Sequence, residues 1–180
     1  FNSFSEELSS EELFNTGLKY HTQKNYKEAE KYYKQSFLKK ADGDTAYNLG
    51  VLYDTTKDVK QAEKYYKEAM NSGEKQKAAY NLIYLYQAQG QGEKAADILK
   101  SMEGVTNDPE LLYNIALSYD MANNKTEAEK YYLKAIEKGK LTKAMNNLAI
   151  LYYEQKKLQE ALKYYKTLVD NYGMNENAYN

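Results

Sequence analysis

A period of 33 residues governs this chain. Gly17, Gly50, Ile83, Ala116 and Ala149 occupy one column at that spacing. Ala29, Ala62, Ala95, Ala128 and Ala161 form a second column, and Tyr20, Tyr53, Tyr86, Tyr119 and Tyr152 a third. Five copies held in one register without an insertion restrict the fold to an array of like units, each too small to bury its apolar face alone.

Each unit reads as two helices. Ala46, Leu49, Gly50 and Tyr53 fall at i, i+3, i+4 and i+7, the apolar stripe of a helix, and Ala62, Tyr66 and Ala69 do the same in a second one. Turn residues lie between them: Lys24-Asn25, Lys57-Asp58, Gly90-Gln91-Gly92 and Asn123-Asn124. Ser9 with Glu12 predicts a capping box that opens the first helix. Asp108 followed by Pro109, the only proline, predicts a cap and first helical residue for the fourth unit. No stretch shows strand-like alternation of useful length.

The predicted organisation is a lead-in at 1–9, five units at 10–42, 43–75, 76–108, 109–141 and 142–172, and a terminal segment at 173–180. In that segment Tyr179-Asn180 repeats the register of Tyr47-Asn48, as the start of a sixth repeat or a truncated capping helix. Such an end leaves the last hairpin to be covered by further chain, a partner or a second copy. The third unit is irregular. Tyr32-Tyr33, Tyr65-Tyr66, Tyr131-Tyr132 and Tyr164-Tyr165 mark the second helix of the other four, whereas the third carries Ile98-Leu99, then Gly104 in a polar loop. Repeat drift and a bend in the array are both compatible with this.

The pattern Leu49-Gly50-x-x-Tyr53 followed by Ala62-x-x-x-Tyr66, recurring over about residues 10–172, resembles the tetratricopeptide repeat. The period is one residue shorter than usual. The aromatic at the head of the first helix is replaced by Leu13, Ala46, Ala79, Leu112 and Met145, and the closing proline is absent. Segments such as Ala135 to Gly139 with Asn147-Leu148 are similar to Sel1-like repeats. Ankyrin arrays share the period, but their Thr-Pro-Leu-His signature does not occur here. The resemblance implies an all-α, right-handed α-α superhelix (a solenoid) of five helical hairpins whose first helices line the concave face. It implies a protein-interaction scaffold, not an enzyme.

On that face the resemblance carries over column by column. Asn15, Asn48, Asn81, Asn114, Asn147 and Asn180 form an unbroken ladder. Beside it run Phe14, Tyr47, Tyr80, Tyr113, Asn146 and Tyr179, and one turn on come Leu18, Val51, Tyr84, Leu117 and Ile150. Three- and four-residue offsets place these columns on one helix face. The expected peptide groove is therefore Asn15, Asn48, Asn81, Asn114 and Asn147 with Tyr47, Tyr80, Tyr84, Tyr113, Val51 and Leu117. An Asn amide offers donors and an acceptor to an extended backbone, and tyrosines give broad contact at low entropic cost. The same ladder could instead hydrogen-bond between neighbouring helices. Glu11, Asp44, Asp54, Glu110, Asp120 and Glu154 rim this face against Lys77 and Lys143. That balance predicts a neutral or mildly basic peptide rather than a carboxylate tail gripped by cations. The second reading is a self-association module that stacks through its uncapped terminal repeat as a homo-oligomer.

Other chemistries lack their residues. Basic and acidic side chains number 25 and 26, and no arginine occurs, which argues against nucleic acid. There is no cysteine, and His21 is the only histidine, without metal-binding partners or a nucleophile at a useful spacing. No cofactor, metal or catalytic residue is expected. No apolar run approaches the ~18 residues of a membrane span. The compartment stays open between cytoplasmic and, if a leader preceded Phe1, periplasmic or exported. Abundant Lys, Asn and Tyr fit an AT-rich bacterial genome.

Overall fold

The computed structural model describes residues 7–102 and 107–173. The start of the lead-in, Gly104 with its loop, and Tyr179-Asn180 lie outside the described residues. Among the described residues there are ten α-helices and no strand. They are α1 (Ser10–Thr22), α2 (Tyr26–Lys39), α3 (Gly43–Thr55), α4 (Val59–Asn71), α5 (Lys75–Ala88), α6 (Gly92–Lys100), α7 (Pro109–Met121), α8 (Lys125–Gly139), α9 (Thr142–Glu154) and α10 (Leu158–Tyr172). Two compact units divide between Leu85 and Tyr86.

Local chemistry sets the helix starts. Ser9 and Glu12 close the expected capping box. Asn25, Asp42, Asp58 and Asn124 each accept from the backbone N–H three residues on. Asp108 accepts from the N–H groups of Glu110 and Leu111, with Pro109 at the head of α7. Each hairpin turns through one left-handed residue at the same repeat position: Lys24 (φ 59°), Lys57 (φ 65°), Gly90 (φ 70°), Asn123 (φ 59°) and Lys156 (φ 60°). For lysine this conformation is strained.

The glycine column has a packing cause. A Cβ on Gly17 would lie 2.6 Å from the Tyr33 ring, and one on Gly50 would lie 2.5 Å from the Tyr66 ring. The tyrosine of the second helix thus lies directly on the backbone of the first. Tyr33 and Tyr66 are fully buried there, and Tyr132, whose matching column position is Ala116, is fully buried as well.

The third hairpin follows a different rule. α6 ends at Lys100, several residues earlier in the repeat than α4 or α8. Gly92 sits against α7 so closely that an added Cβ would collide with the Ser118 carbonyl oxygen. Ser118 occupies a column that is leucine in the neighbouring units (Leu52, Leu85, Leu151). Its hydroxyl donates to the Asn114 carbonyl (2.9 Å) and accepts from the Gln87 amide (3.1 Å).

Candidate functional site

The face of the first helices is organised by tyrosine hydroxyls. In the first compact unit, buried Tyr66 directs its hydroxyl to Asp54 (3.5 Å) and accepts from Asn81 Nδ2 (3.3 Å). The same nitrogen donates to the Tyr47 hydroxyl at 3.2 Å. In the second unit Tyr132 reaches Asp120 (3.4 Å), and Asn147 Nδ2 donates to Tyr132 (3.4 Å) and Tyr113 (3.2 Å). The Tyr47–Tyr66 and Tyr113–Tyr132 rings sit 6.2 and 6.0 Å apart with the same tilt of 48°. One asparagine thus braces two tyrosines of the preceding hairpin.

The brace fails wherever a tyrosine is missing. Phe14 carries no hydroxyl, and Asn48 turns its amide back to the Asp44 carbonyl of its own helix (2.9 Å). Leu99 stands where the other second helices have tyrosine, and the Asn114 side chain has no hydrogen-bond partner among the described residues. Asn15 is exposed and likewise unpartnered. The ladder therefore divides into bracing rungs, Asn81 and Asn147, and rungs whose amides make no bond to a neighbouring hairpin among the described residues, Asn15, Asn48 and Asn114. The Asp54 and Asp120 acceptors were missed as such in the sequence reading. Their signal was a fixed offset of twelve residues before Tyr66 and Tyr132.

The apolar columns are accessible in both units. Leu18 and Tyr80 are exposed on the first, and Tyr84 stands 66% exposed; Val51 and Tyr47 are half-buried. On the second, Met121, Ile150 and Tyr153 are exposed, with Leu117 and Tyr113 half-buried. Tyr153 and Met121 were not among the expected groove residues, although their spacing from Ile150 and Leu117 places them on the same face.

Electrostatics modify the acidic rim. Lys125 bonds Asp120 (2.6 Å) and Glu154 (3.0 Å). Lys143 pairs with Glu110 while lying 4.5 Å over the Tyr113 ring. The acids of the second unit are thus balanced in place. In the first unit Lys77 pairs with Glu74, leaving Glu11, Asp44 and Asp54 without an ion pair among the described residues. Burial raises the Tyr66 hydroxyl, and the nearby Asp54 charge adds to it; burial likewise raises Tyr132. Burial alone lifts Tyr33 to about 12. All three remain protonated donors at neutral pH.

His21 lies with Nδ1 3.3 Å from the Tyr33 hydroxyl and its ring edge-on to Tyr26 and Tyr33. Burial lowers its pKa, which favours the neutral ring. Among the described residues no group of three or more His, Cys, Asp or Glu could hold a metal ion. No described helix is long and apolar enough to cross a membrane.

Comparison with known proteins agrees with the fold. Models of the tetratricopeptide repeat match residues 13–38, 43–72 and 113–175. No curated protein matches. Among solved structures, the chain is similar to YrrB, described as a tetratricopeptide-repeat protein with an unusual peptide-binding site, at 16% identity and a TM-score of 0.67 over 95% of this chain and 90% of that one. It is also similar to MamA from Desulfovibrio magneticus RS-1, at 16% identity and a TM-score of 0.63 over 89% and 93%. Pseudomonas aeruginosa PilF gives 20% and 0.55 over 94% and 79%. At these identities the likeness concerns the fold, an all-α superhelical repeat.

Proposed function

Because the chain belongs to the tetratricopeptide repeat family, we propose that it is a protein-interaction scaffold that holds a linear protein segment along its first helices. The observation that carries this reading is the pairing of unbraced amides with exposed apolar side chains on one helix face. Asn48 and Asn15 lie beside Tyr84, Tyr80 and Leu18 in the register of the first unit, and Asn114 beside Leu117 and Met121 in that of the second. Amides that brace no neighbouring hairpin suit a peptide backbone, and the exposed rings suit its apolar side chains. The unpaired acids Glu11, Asp44 and Asp54 favour a segment that is neutral or mildly basic. The bracing residues Asn81 and Asn147 keep the tyrosine floor in place and offer the ligand their remaining oxygen.

The test is a display library of random peptides selected on the native chain, with selected peptides measured by calorimetry against two variants. Asn48→Ala with Asn114→Ala is expected to weaken binding about tenfold or more while melting is unchanged, since neither side chain links hairpins. Tyr84→Ala is expected to act similarly. Selection of acidic peptides, or affinities indifferent to all three substitutions, would overturn the reading.

A further inference from the structure

The second and fourth hairpins build the same frame around an aspartate. Both turn through a left-handed residue at one register, Lys57 and Asn123, and both second helices open on a side-chain cap, Asp58 and Asn124. Tyr66 donates to Asp54 Oδ2 at 3.5 Å, and Tyr132 donates to Asp120 Oδ2 at 3.4 Å. Each of these tyrosines is braced by an asparagine and tilted at 48° to a second ring.

The frames differ in the first residue of the second helix, which is Val59 in α4 and Lys125 in α8. Lys125 Nζ donates to Asp120 Oδ1 at 2.6 Å and to Glu154 at 3.0 Å. The matching atom, Asp54 Oδ1, has no hydrogen-bond or ion-pair partner among the described residues, because valine cannot supply one. The column of Glu154 holds Ala88 one unit after Asp54, so a cation at Asp54 meets one carboxylate and not two. The fourth hairpin thus displays what this frame accepts, a primary ammonium on a flexible apolar stem. The second presents the same carboxylate half-buried and unfilled.

Asp54 follows Val51 by one turn on α3, and Tyr84 occupies the Val51 column on α5, so the open carboxylate belongs to the peptide face. Half-buried Val51 and Val59 offer apolar surface to a methylene stem. The Tyr66 hydroxyl already engages Oδ2, which leaves one carboxylate oxygen open. A single open oxygen suits the point charge of an ammonium better than the two-pronged guanidinium of arginine.

We propose that Asp54 is a lysine-reading subsite, where the ammonium of a lysine in the bound segment docks on Oδ1 as Lys125 docks on Asp120. The inference rests on the scaffold reading above and adds the side chain that the first compact unit selects.

The test applies one display library of random peptides to three chains: native, Asp54→Asn and Val59→Lys. Peptides selected on the native chain are expected to be enriched in lysine at one position relative to the unselected library. Val59→Lys gives the second hairpin the lysine of the fourth, so the chain fills its own site. It is expected to select peptides still, without that lysine, while melting at the native temperature or above. Asp54→Asn is expected to lose the enrichment too. In calorimetry, acetylating the lysine of a selected peptide should weaken binding to the native chain about fivefold and leave binding to Asp54→Asn unchanged. Enrichment that is absent on the native chain, that favours arginine over lysine, or that survives either substitution would overturn this inference and leave the scaffold reading standing. A library that yields no binder to any of the three chains would overturn both.

Discussion

Asn81 Nδ2 stands 3.2 Å from the Tyr47 hydroxyl and 3.3 Å from that of Tyr66, so one amide group fastens a third-hairpin helix to both helices of the second. The geometry recurs at Asn147 with Tyr113 and Tyr132. Rungs that look identical in the sequence should therefore differ in worth.

Asn81→Ala is expected to destabilise the chain by about 1–2 kcal/mol, since it removes the shared donor from two partly buried hydroxyls. Asn114→Ala, which breaks no side-chain hydrogen bond, is expected to change stability by less than about 0.5 kcal/mol. Urea denaturation of the two variants side by side checks the contrast.

At Gly50 the Tyr66 ring lies too close for a methyl group, although the fourth unit seats Ala116 with Tyr132 in the same two columns. Gly50→Ala forces the Tyr66 ring to shift, and an overpacking cost of about 1–3 kcal/mol is expected. Tyr66→Leu introduced with it should recover part of the loss, because the third hairpin uses Ile83 and Leu99 in these two columns. Melting temperatures of the single and double variants measure the recovery.

The left-handed turn position offers a gain. Lys57→Gly removes a strain of about 1–2 kcal/mol and incurs part of that again through the freer unfolded chain, so a net stabilisation of about 0.5–1 kcal/mol is expected. The equivalent change at Lys24 should behave alike. Thermal melts report both.

The single histidine gives the first hairpin a pH response. Burial holds the folded pKa of His21 below the ordinary 6.5, so folding favours the neutral ring. The stabilisation is full above pH 6.5 and is lost as pH falls from there through the lowered folded value. The protection of α1 and α2 amides, taken relative to intrinsic exchange at each pH, should fall across that window, and His21→Phe should flatten the response.

The repeat, the helix pairs and their caps were legible because they depend on neighbours along the chain: Ser9 with Glu12, Asp108 with Pro109, and the three- and four-residue stripes. The Asn column was visible as well, but its two roles were not separable. Whether an asparagine braces or stays free depends on residues 34 and 15 positions earlier, which only the packed hairpins bring together. The acidic rim was overestimated for the same reason. Lys125 and Lys143 are distant in sequence from the acids of other hairpins that they neutralise, Glu154 and Glu110.

The left-handed turns, the caps and the small-residue columns recur in nearly every unit, but the asparagine brace has separable halves. All five units carry the donor, while the full pair of acceptor hydroxyls belongs to the second and fourth. A gene duplication that inserted another second or fourth unit would bring this brace to whatever followed, whereas an inserted third unit would add length without it. Tyrosine at two positions thus decides which units carry the brace with them when they are multiplied.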